Sequence, residues 1–161
     1  MERIASFNVD HRYIKEGVYI SRIDGDITTY DLRMRKPNTG DLISNSALHS
    51  FEHMFATFVR NSSMKDNIIY VGPMGCQTGF YLLVRNADGS KVIDLVKDSL
   101  LKIMDYEGEV FGKSEIECGN YKNLSLEAAK DEAKRYFDKI KDITEENLAY
   151  PSEGQNGKSE N

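Results

Sequence analysis

Two histidines lie four residues apart in the segment His49-Ser50-Phe51-Glu52-His53. On a helix, positions four apart lie one turn above each other on the same side. Both imidazoles can therefore face one metal ion, with Glu52 beside them. The pattern H-x-x-E-H occurs in metallohydrolases, where the histidines bind the metal and the glutamate moves protons. A surface helix also carries such a pair by chance, so the interpretation depends on a third ligand.

Cys118 is the third ligand that we predict for this site. A catalytic metal site usually has three protein ligands and one open position. The chain has three histidines, and the remaining one, His11, lies far upstream. Cys118 precedes Gly119 in a hydrophilic stretch, which disfavours a purely apolar role for its thiol. Because thiolate is a soft anionic ligand for divalent transition metals, we predict a site made of His49, His53 and Cys118.

The second cysteine, Cys76, lies in a Gly- and Pro-containing segment that predicts an irregular turn between two strands. A thiol on such a turn can be exposed, and positive charge nearby would favour its thiolate. An inert thiol between apolar strands is the alternative. In a reducing compartment we expect Cys76 and Cys118 to remain unpaired. Ser6, His11 and Arg33 carry no functional signal when each is taken alone.

The elements that must position these residues are two strand pairs and three helices. The dipeptide Asp24-Gly25 predicts a tight hairpin. In the second strand, Asp31 and Arg33 share the face opposite Tyr30 and Leu32, so Arg33 is free to leave the core. Strands and helices mix without a repeating βαβ order, so we predict an α+β fold in which an antiparallel sheet packs with helices. The strands are predicted at residues 17–23, 27–34, 68–71 and 80–85, and the helices at residues 44–60, at residues 90–104 and after an N-cap at Ser125.

The length of 161 residues fits one domain, which we place at residues 1–150. Residues 151–161 are polar and rich in Gly, Ser and Asn, and we expect them to form a disordered tail. The segment that begins at Met1 lacks the apolar stretch and cleavage site of a secretory signal. We therefore expect a cytoplasmic protein.

The composition excludes two classes of partner. The net charge is −5, and lysine and arginine are scattered among acidic residues. Binding a nucleic acid needs a basic surface that displaces counterions, so we expect no nucleic-acid partner. No apolar run approaches the roughly 20 residues that a membrane span requires, so we expect no membrane association. A small-molecule ligand fits this composition better.

Five motifs occur in the order found in the S-ribosylhomocysteine lyases, and the chain resembles that family from about residue 4 to residue 137. The stretch from Pro73 to Tyr81, which contains Pro-Met-Gly-Cys, and the H-x-x-E-H helix are the most specific of these motifs. The motifs are Ser6-Phe7-Asn8-Val9-Asp10-His11, Tyr30-Asp31-Leu32-Arg33 with Lys36-Pro37-Asn38, Leu48-His49-x-x-Glu52-His53-Met54, Pro73-Met74-Gly75-Cys76-Gln77-Thr78-Gly79-Phe80-Tyr81, and Cys118-Gly119-x-Tyr121-Lys122 with Ser125-Leu126-Glu127-x-Ala129-Lys130.

The resemblance implies a reaction and a cofactor. The family's reaction converts S-ribosyl-L-homocysteine to L-homocysteine and 4,5-dihydroxy-2,3-pentanedione, the precursor of autoinducer-2, through two carbonyl migrations and a β-elimination. It implies Fe(II), for which Zn or Co can substitute, with one ion per subunit held by His49, His53 and Cys118. It also implies that Cys76 and Glu52 exchange protons with the substrate.

The resemblance also implies an assembly and substrate contacts. It implies a homodimer in which the sheets pack in a barrel-like arrangement and two active sites lie at the subunit interface. Ser6, His11 and Arg33 match family positions that contact or orient the substrate. One departure is Tyr70, where family members commonly carry aspartate.

Two other functions remain open at the level of the sequence. An inverted-zincin-like metallopeptidase would use His49, His53 and Glu52 for hydrolysis, but it needs a distant acidic ligand and leaves both cysteines unexplained. A non-catalytic domain stabilised by a metal would need four protein ligands, and only three good candidates exist.

Overall fold

The sheet brings the predicted turn of Cys76 next to the end of a central strand. A computed structural model describes residues 1–152, and in that part of the chain four antiparallel strands form one sheet. The strands are β1 (Gly17–Asp24), β2 (Ile27–Arg33), β3 (Ile68–Pro73) and β4 (Gly79–Arg85), in the spatial order β1-β2-β4-β3. All four predicted strands are confirmed. Arg33 at the end of β2 pairs with Gly79 at the start of β4, directly after the Cys76 turn.

The hairpin between β1 and β2 turns where the sequence predicted it. Gly25 has a φ angle of 60°, which lies in the left-handed region. Glycine adopts this conformation without the steric penalty of a side chain. The hairpin prediction at Asp24-Gly25 is therefore confirmed.

Three helices follow the predicted pattern, and each begins after a side chain that caps its N-terminus. The helices are α1 (Asn45–Arg60), α2 (Gly89–Asp105) and α3 (Leu126–Ile140). The side chains of Ser44, Asp88 and Ser125 accept hydrogen bonds from backbone N–H groups in the first turns. Such caps satisfy N–H groups that have no partner within the helix. His49 and His53 therefore lie on a well-formed helix of 16 residues.

The hydrophobic core lies between the helices and one face of the sheet. Phe51 of α1 is fully buried, and its ring centroid lies 5.3 Å from that of Phe55 and 5.0 Å from that of Phe80 in β4. Aromatic pairs at such distances stabilise a core beyond the area they bury. Tyr30 and Leu32 of β2 face the same core. This arrangement confirms the α+β class and packs α1 firmly against the sheet.

The opposite face of the sheet holds a buried ion pair. Asp31 and Arg33 have only 1% and 2% of their surface exposed, and Arg33 Nη2 lies 2.6 Å from Asp31 Oδ2. Arg33 leaves the hydrophobic core, as the strand alternation predicts, yet it remains buried. A buried charge needs a partner and further hydrogen bonds to offset its desolvation. Tyr150 supplies one such bond, because its hydroxyl group donates to Asp31 Oδ2 at 2.7 Å.

None of the helices in residues 1–152 combines the length and apolar composition that crossing a bilayer requires. The polar tail predicted at residues 151–161 lies, from residue 153 onward, outside the described residues. The domain boundary at residue 150 stays a prediction.

Candidate active site

Two histidines of α1 and a cysteine from a distant loop meet at one point. The imidazole centroids of His49 and His53 lie 4.6 Å apart. Cys118 Sγ lies 3.4 Å from His49 Nε2. The potential ligand atoms of these three residues all lie within 4.8 Å of one another. The structure thus brings together the three residues predicted as metal ligands.

Each histidine is oriented by a hydrogen bond on its other ring nitrogen. His49 Nδ1 lies 2.6 Å from Asn123 Oδ1, and His53 Nδ1 lies 2.7 Å from the backbone oxygen of Phe111. A carbonyl oxygen only accepts, so each Nδ1 carries a hydrogen, and in the neutral imidazole the lone pair then lies on Nε2. Partners of this kind fix the tautomer and ring orientation of metal-binding histidines. Both imidazoles are therefore prepared to bind through Nε2.

Gly112 allows the loop to approach His53 closely. Its φ angle is 71°, and a Cβ atom at this position would lie 3.0 Å from His53 Nδ1. Both the left-handed backbone and the short distance favour glycine. Gly112 thereby keeps the preceding carbonyl of Phe111 within hydrogen-bonding distance of the imidazole.

The segment after Cys118 is fixed to α1 by hydrogen bonds. Ser46 Oγ donates to the backbone oxygen of Asn123 at 2.5 Å, and Ser50 Oγ accepts from the backbone N–H of Ser125 at 2.8 Å. The backbone N–H of Asn120 also points to Cys118 Sγ at 3.4 Å. This contact holds the sulfur in place beside His49. The site is thus held by one side of α1 and one loop.

No role for Asn123 was predicted from the sequence. A signal for its position does exist, because Ser46, His49, Ser50 and His53 follow the spacing of one helix face. That polar stripe indicates a surface that another segment covers. The sequence does not show which segment does so.

We expect Asn123→Ala to weaken metal binding about 10- to 100-fold, the usual cost of removing an outer partner of a histidine ligand. The amide oxygen fixes the His49 ring, and alanine cannot replace it. Competition with a chromophoric chelator for Zn(II) measures the affinity. Asn120→Ala is the matched control, since the exposed Asn120 contacts Cys118 through its backbone alone. Equal zinc affinity in Asn123→Ala and wild-type protein would contradict this role.

Glu52 neighbours His53 on α1 but is not part of the three-residue group. Its side chain is half-buried. Proton transfer, the role that the H-x-x-E-H pattern predicts for this carboxylate, stays a prediction.

Cys76 is exposed on the turn between β3 and β4 and carries no disulfide. Its Sγ lies 3.0 Å from Thr78 Oγ1, which accepts a hydrogen bond from Arg33 Nη1 at 2.9 Å. Because Arg33 occupies the Thr78 oxygen as a donor, the Thr78 hydroxyl hydrogen is free to point at the sulfur. Burial acts to lower the pKa of Arg33, but the hydrogen bond and charge of Asp31 outweigh it and raise that pKa. A permanent cation thus lies one side chain away from the thiol.

Gln77 joins the Cys76 turn to the start of α1. Its backbone is left-handed, with a φ angle of 62°. Its side-chain Nε2 donates to the backbone oxygen of Ile43 at 2.9 Å. In return, the backbone N–H of Ile43 donates to the backbone oxygen of Gln77 at 2.9 Å. This reciprocal pair fixes the turn beside the N-cap of α1 at Ser44.

The N-terminal residues form a separate surface. Ser6 lies in the short 3-10 helix Ala5–Phe7, and His11 lines a cavity of about 440 Å³ with Asn38. Cys118 lines a different cavity of about 280 Å³, and the two cavities have no residue in common. His11 Nδ1 contacts the backbone oxygen of Val9 at 2.9 Å. Within one chain, His11 and Cys118 therefore line separate cavities.

The fold and this geometry define a class of protein. It is an α+β protein in which, within residues 1–152, a helix and a loop bring together two histidines and a cysteine that could hold a metal ion, one ligand fewer than in a structural zinc site. Comparisons with known proteins give the family. Residues 4–147 match the family model described as S-ribosylhomocysteinase (LuxS). The chain belongs to this family, which confirms the resemblance in the sequence motifs.

Relatives align along almost the whole chain. The S-ribosylhomocysteine lyase of Desulfotalea psychrophila is 44% identical over 159 residues, which cover 94% of this chain and 100% of the relative. The S-ribosylhomocysteine lyase of Finegoldia magna is 42% identical over 156 residues, which cover 94% and 99%. That of Porphyromonas gingivalis is 44% identical over 158 residues, with the same coverage.

Proposed function

We propose that the protein is a metal-dependent S-ribosylhomocysteine lyase. It would convert S-ribosyl-L-homocysteine to L-homocysteine and 4,5-dihydroxy-2,3-pentanedione. The observation that carries the proposal is the convergence of His49, His53 and Cys118 in a chain of this family. The free thiols of Cys76 and Cys118 fit a cytoplasmic enzyme, where disulfides are rare.

His49, His53 and Cys118 would hold the ion, which we propose to be Fe(II), with Zn or Co as substitutes and one ion per subunit. Two imidazoles and a thiolate suit divalent transition metals of this kind. When bound, the ion would act as a Lewis acid that stabilises negative charge developing on the sugar oxygens. The protein's part is to keep both Nε2 lone pairs and the sulfur directed to one point.

Cys76 and Glu52 would carry the proton transfers. Each carbonyl migration removes a proton from one carbon and returns a proton to its neighbour. With the ketone at C3, removal of the C4 proton breaks the C5–S bond, and the electron pair leaves with the homocysteine sulfur. Thr78 would hold the Cys76 sulfur through a hydrogen bond, and Arg33 holds Thr78 in turn.

Ser6, His11 and Arg33 would contact or orient the substrate. Arg33 is 2% exposed and bonds Thr78, so within one chain it acts on the site through that side chain. We propose a homodimer with barrel-like packing of its sheets, in which the His11 cavity of one protomer faces the metal ligands of the other. This arrangement would unite two cavities that are separate in one chain.

Mixing two inactive variants tests the shared site. We expect His11→Ala and His49→Ala to be inactive alone, yet to recover about one quarter of wild-type activity when co-expressed with different tags. Random pairing makes half of the dimers mixed, and each mixed dimer has one intact site of two. Purified mixed dimers should show about half of wild-type activity. No recovery would place both histidines of each site in one protomer.

The two alternatives from the sequence have less support. A peptidase would need an acidic third ligand, whereas the third residue in the group is Cys118. A structural metal site would need a fourth protein ligand, and the group contains three.

The test of the proposal is the release of free thiol from S-ribosylhomocysteine by purified protein. A thiol-specific chromogenic reagent measures the homocysteine formed, and a panel of peptides serves as the alternative substrate. We expect thiol release that stops after chelation and no peptide cleavage. Peptide cleavage without thiol release would favour the metallopeptidase.

A further inference from the structure

A tyrosine outside the family match completes the hydrogen-bonded chain that leads to Cys76. The family match ends at residue 147, and Tyr150 lies three residues further on. Its hydroxyl group donates to Asp31 Oδ2 at 2.7 Å, the oxygen that also accepts from Arg33 Nη2 at 2.6 Å. From Arg33 the chain continues through Thr78 to the sulfur of Cys76.

The position of Tyr150 is built into the fold. The backbone oxygen of Leu148 accepts a hydrogen bond from Ile20 of β1 at 2.8 Å, and the Leu148 side chain is buried in the core. The Tyr150 ring stacks on Tyr19, with centroids 5.0 Å apart and planes 24° apart. Burial, and after it the charge of Asp31, raises the pKa of the Tyr150 hydroxyl well above its ordinary value. The phenol therefore remains a hydrogen-bond donor across the working pH range.

We propose that Tyr150 is a positioning residue for Cys76, acting through Asp31, Arg33 and Thr78 on the reactivity of the thiol. The inference rests on the proposed function in that it treats Cys76 as a reactive group. Two donors hold Asp31 Oδ2 in place. Without the Tyr150 hydroxyl, Asp31 Oδ2 loses one of its two donors and attracts Arg33 more strongly. We expect the hydrogen bond from Arg33 to Thr78 to weaken as a result. The sulfur then loses part of the hydrogen-bond support that Thr78 gives it.

Other groups near the thiol do not compensate for this loss. Tyr81 of β4 lies on the same side of the sheet, and burial raises the pKa of its hydroxyl, so it stays neutral. Tyr19 of β1 donates to the backbone oxygen of Lys15 at 2.9 Å and makes no hydrogen bond to Asp31 in the described part of the chain. Arg33 is therefore the cation through which Tyr150 acts.

Alkylation of Cys76 in the absence of substrate tests the inference. Metal-loaded dimer is treated with iodoacetamide between pH 6 and pH 9, and the mass of the Cys76 peptide gives the rate. We expect Tyr150→Phe to slow alkylation at pH 7 about threefold, because iodoacetamide reacts with the thiolate. The profile should converge with the wild-type profile at high pH, where the thiol is fully ionised.

Tyr19→Phe is the matched control, because it removes a neighbouring phenol that bonds only backbone. Cys76 of the Tyr19→Phe protein should be alkylated at the wild-type rate. An unchanged pH profile in Tyr150→Phe, or an equal change in Tyr19→Phe, would overturn the inference. A lower melting temperature with an unchanged profile would likewise assign Tyr150 a structural role only.

A double variant tests the route. Thr78→Val breaks the link between Arg33 and Cys76, so adding Tyr150→Phe should then have no further effect on alkylation. Additive effects would overturn the route through Thr78. Because no substrate is present, the result is independent of the lyase assay. The inference can fail while thiol release is normal, and a slowed alkylation can stand even if the lyase activity is absent.

Discussion

Cys76→Ala and Glu52→Gln proteins will retain their metal and lose thiol release by about 10²- to 10⁴-fold, the usual contribution of a general acid or base. Each change removes a group that we propose to transfer protons, and neither residue belongs to the group formed by His49, His53 and Cys118. Glutamine keeps the shape of Glu52 but cannot take a proton. Elemental analysis of the purified protein and the rate of thiol release measure the two effects separately.

Glu115→Gln provides the control for charge. Glu115 is exposed and lines the same cavity as Cys118, yet it lies outside the ligand group. Its substitution should leave turnover unchanged. Near-normal turnover in Cys76→Ala would instead make that thiol an ordinary structural residue, and loss of metal in Glu52→Gln would make Glu52 a ligand.

Loss of any metal ligand should have an equally large effect on a different measurement. We expect His49→Ala, His53→Ala and Cys118→Ala each to lower metal content sharply. The loss of metal affinity should exceed the factor of about 10 to 100 that removal of an outer partner causes. Two remaining donors leave an incomplete set for a catalytic metal. Metal content after dialysis against a weak chelator measures the loss, and turnover should fall with it.

The chain contains its own control, because His11 is the remaining histidine. His11→Ala should keep full metal content while substrate turnover falls. Full metal occupancy in Cys118→Ala would remove that residue from the site and require a different third ligand.

The convergence of His49, His53 and Cys118 could be predicted from the sequence because two of the three residues follow a local rule. The spacing of His49 and His53 gives the same side of a helix wherever that helix packs. Cys118 was identified by its chemistry and by the family motif, and its contact with His49 at 3.4 Å depends on the folded loop. The strands and helices could be predicted equally well, since the alternation of apolar and polar residues, the helix caps and the Asp24-Gly25 turn are local signals.

The second layer of the site could not be predicted in this way. The contact between His49 and Asn123 joins residues 74 positions apart, and the one between Asp31 and Tyr150 joins residues 119 positions apart. Such pairs depend on how the elements pack together. For the same reason, strand alternation placed Arg33 on the correct face but did not show that Tyr150 reaches its partner Asp31 there.

The reciprocal hydrogen bonds between Gln77 and Ile43 bear on how the protein moves. They join the turn of Cys76 to the start of α1, so the loop of the thiol and the helix of the histidines are tied to each other directly. A group held in this way is pre-organised and does not depend on substrate for its placement. Any induced fit on substrate entry must then come from elsewhere. The N-terminal segment is suited to it, because Ile4 and Phe7 are exposed and its short helix has no side-chain cap.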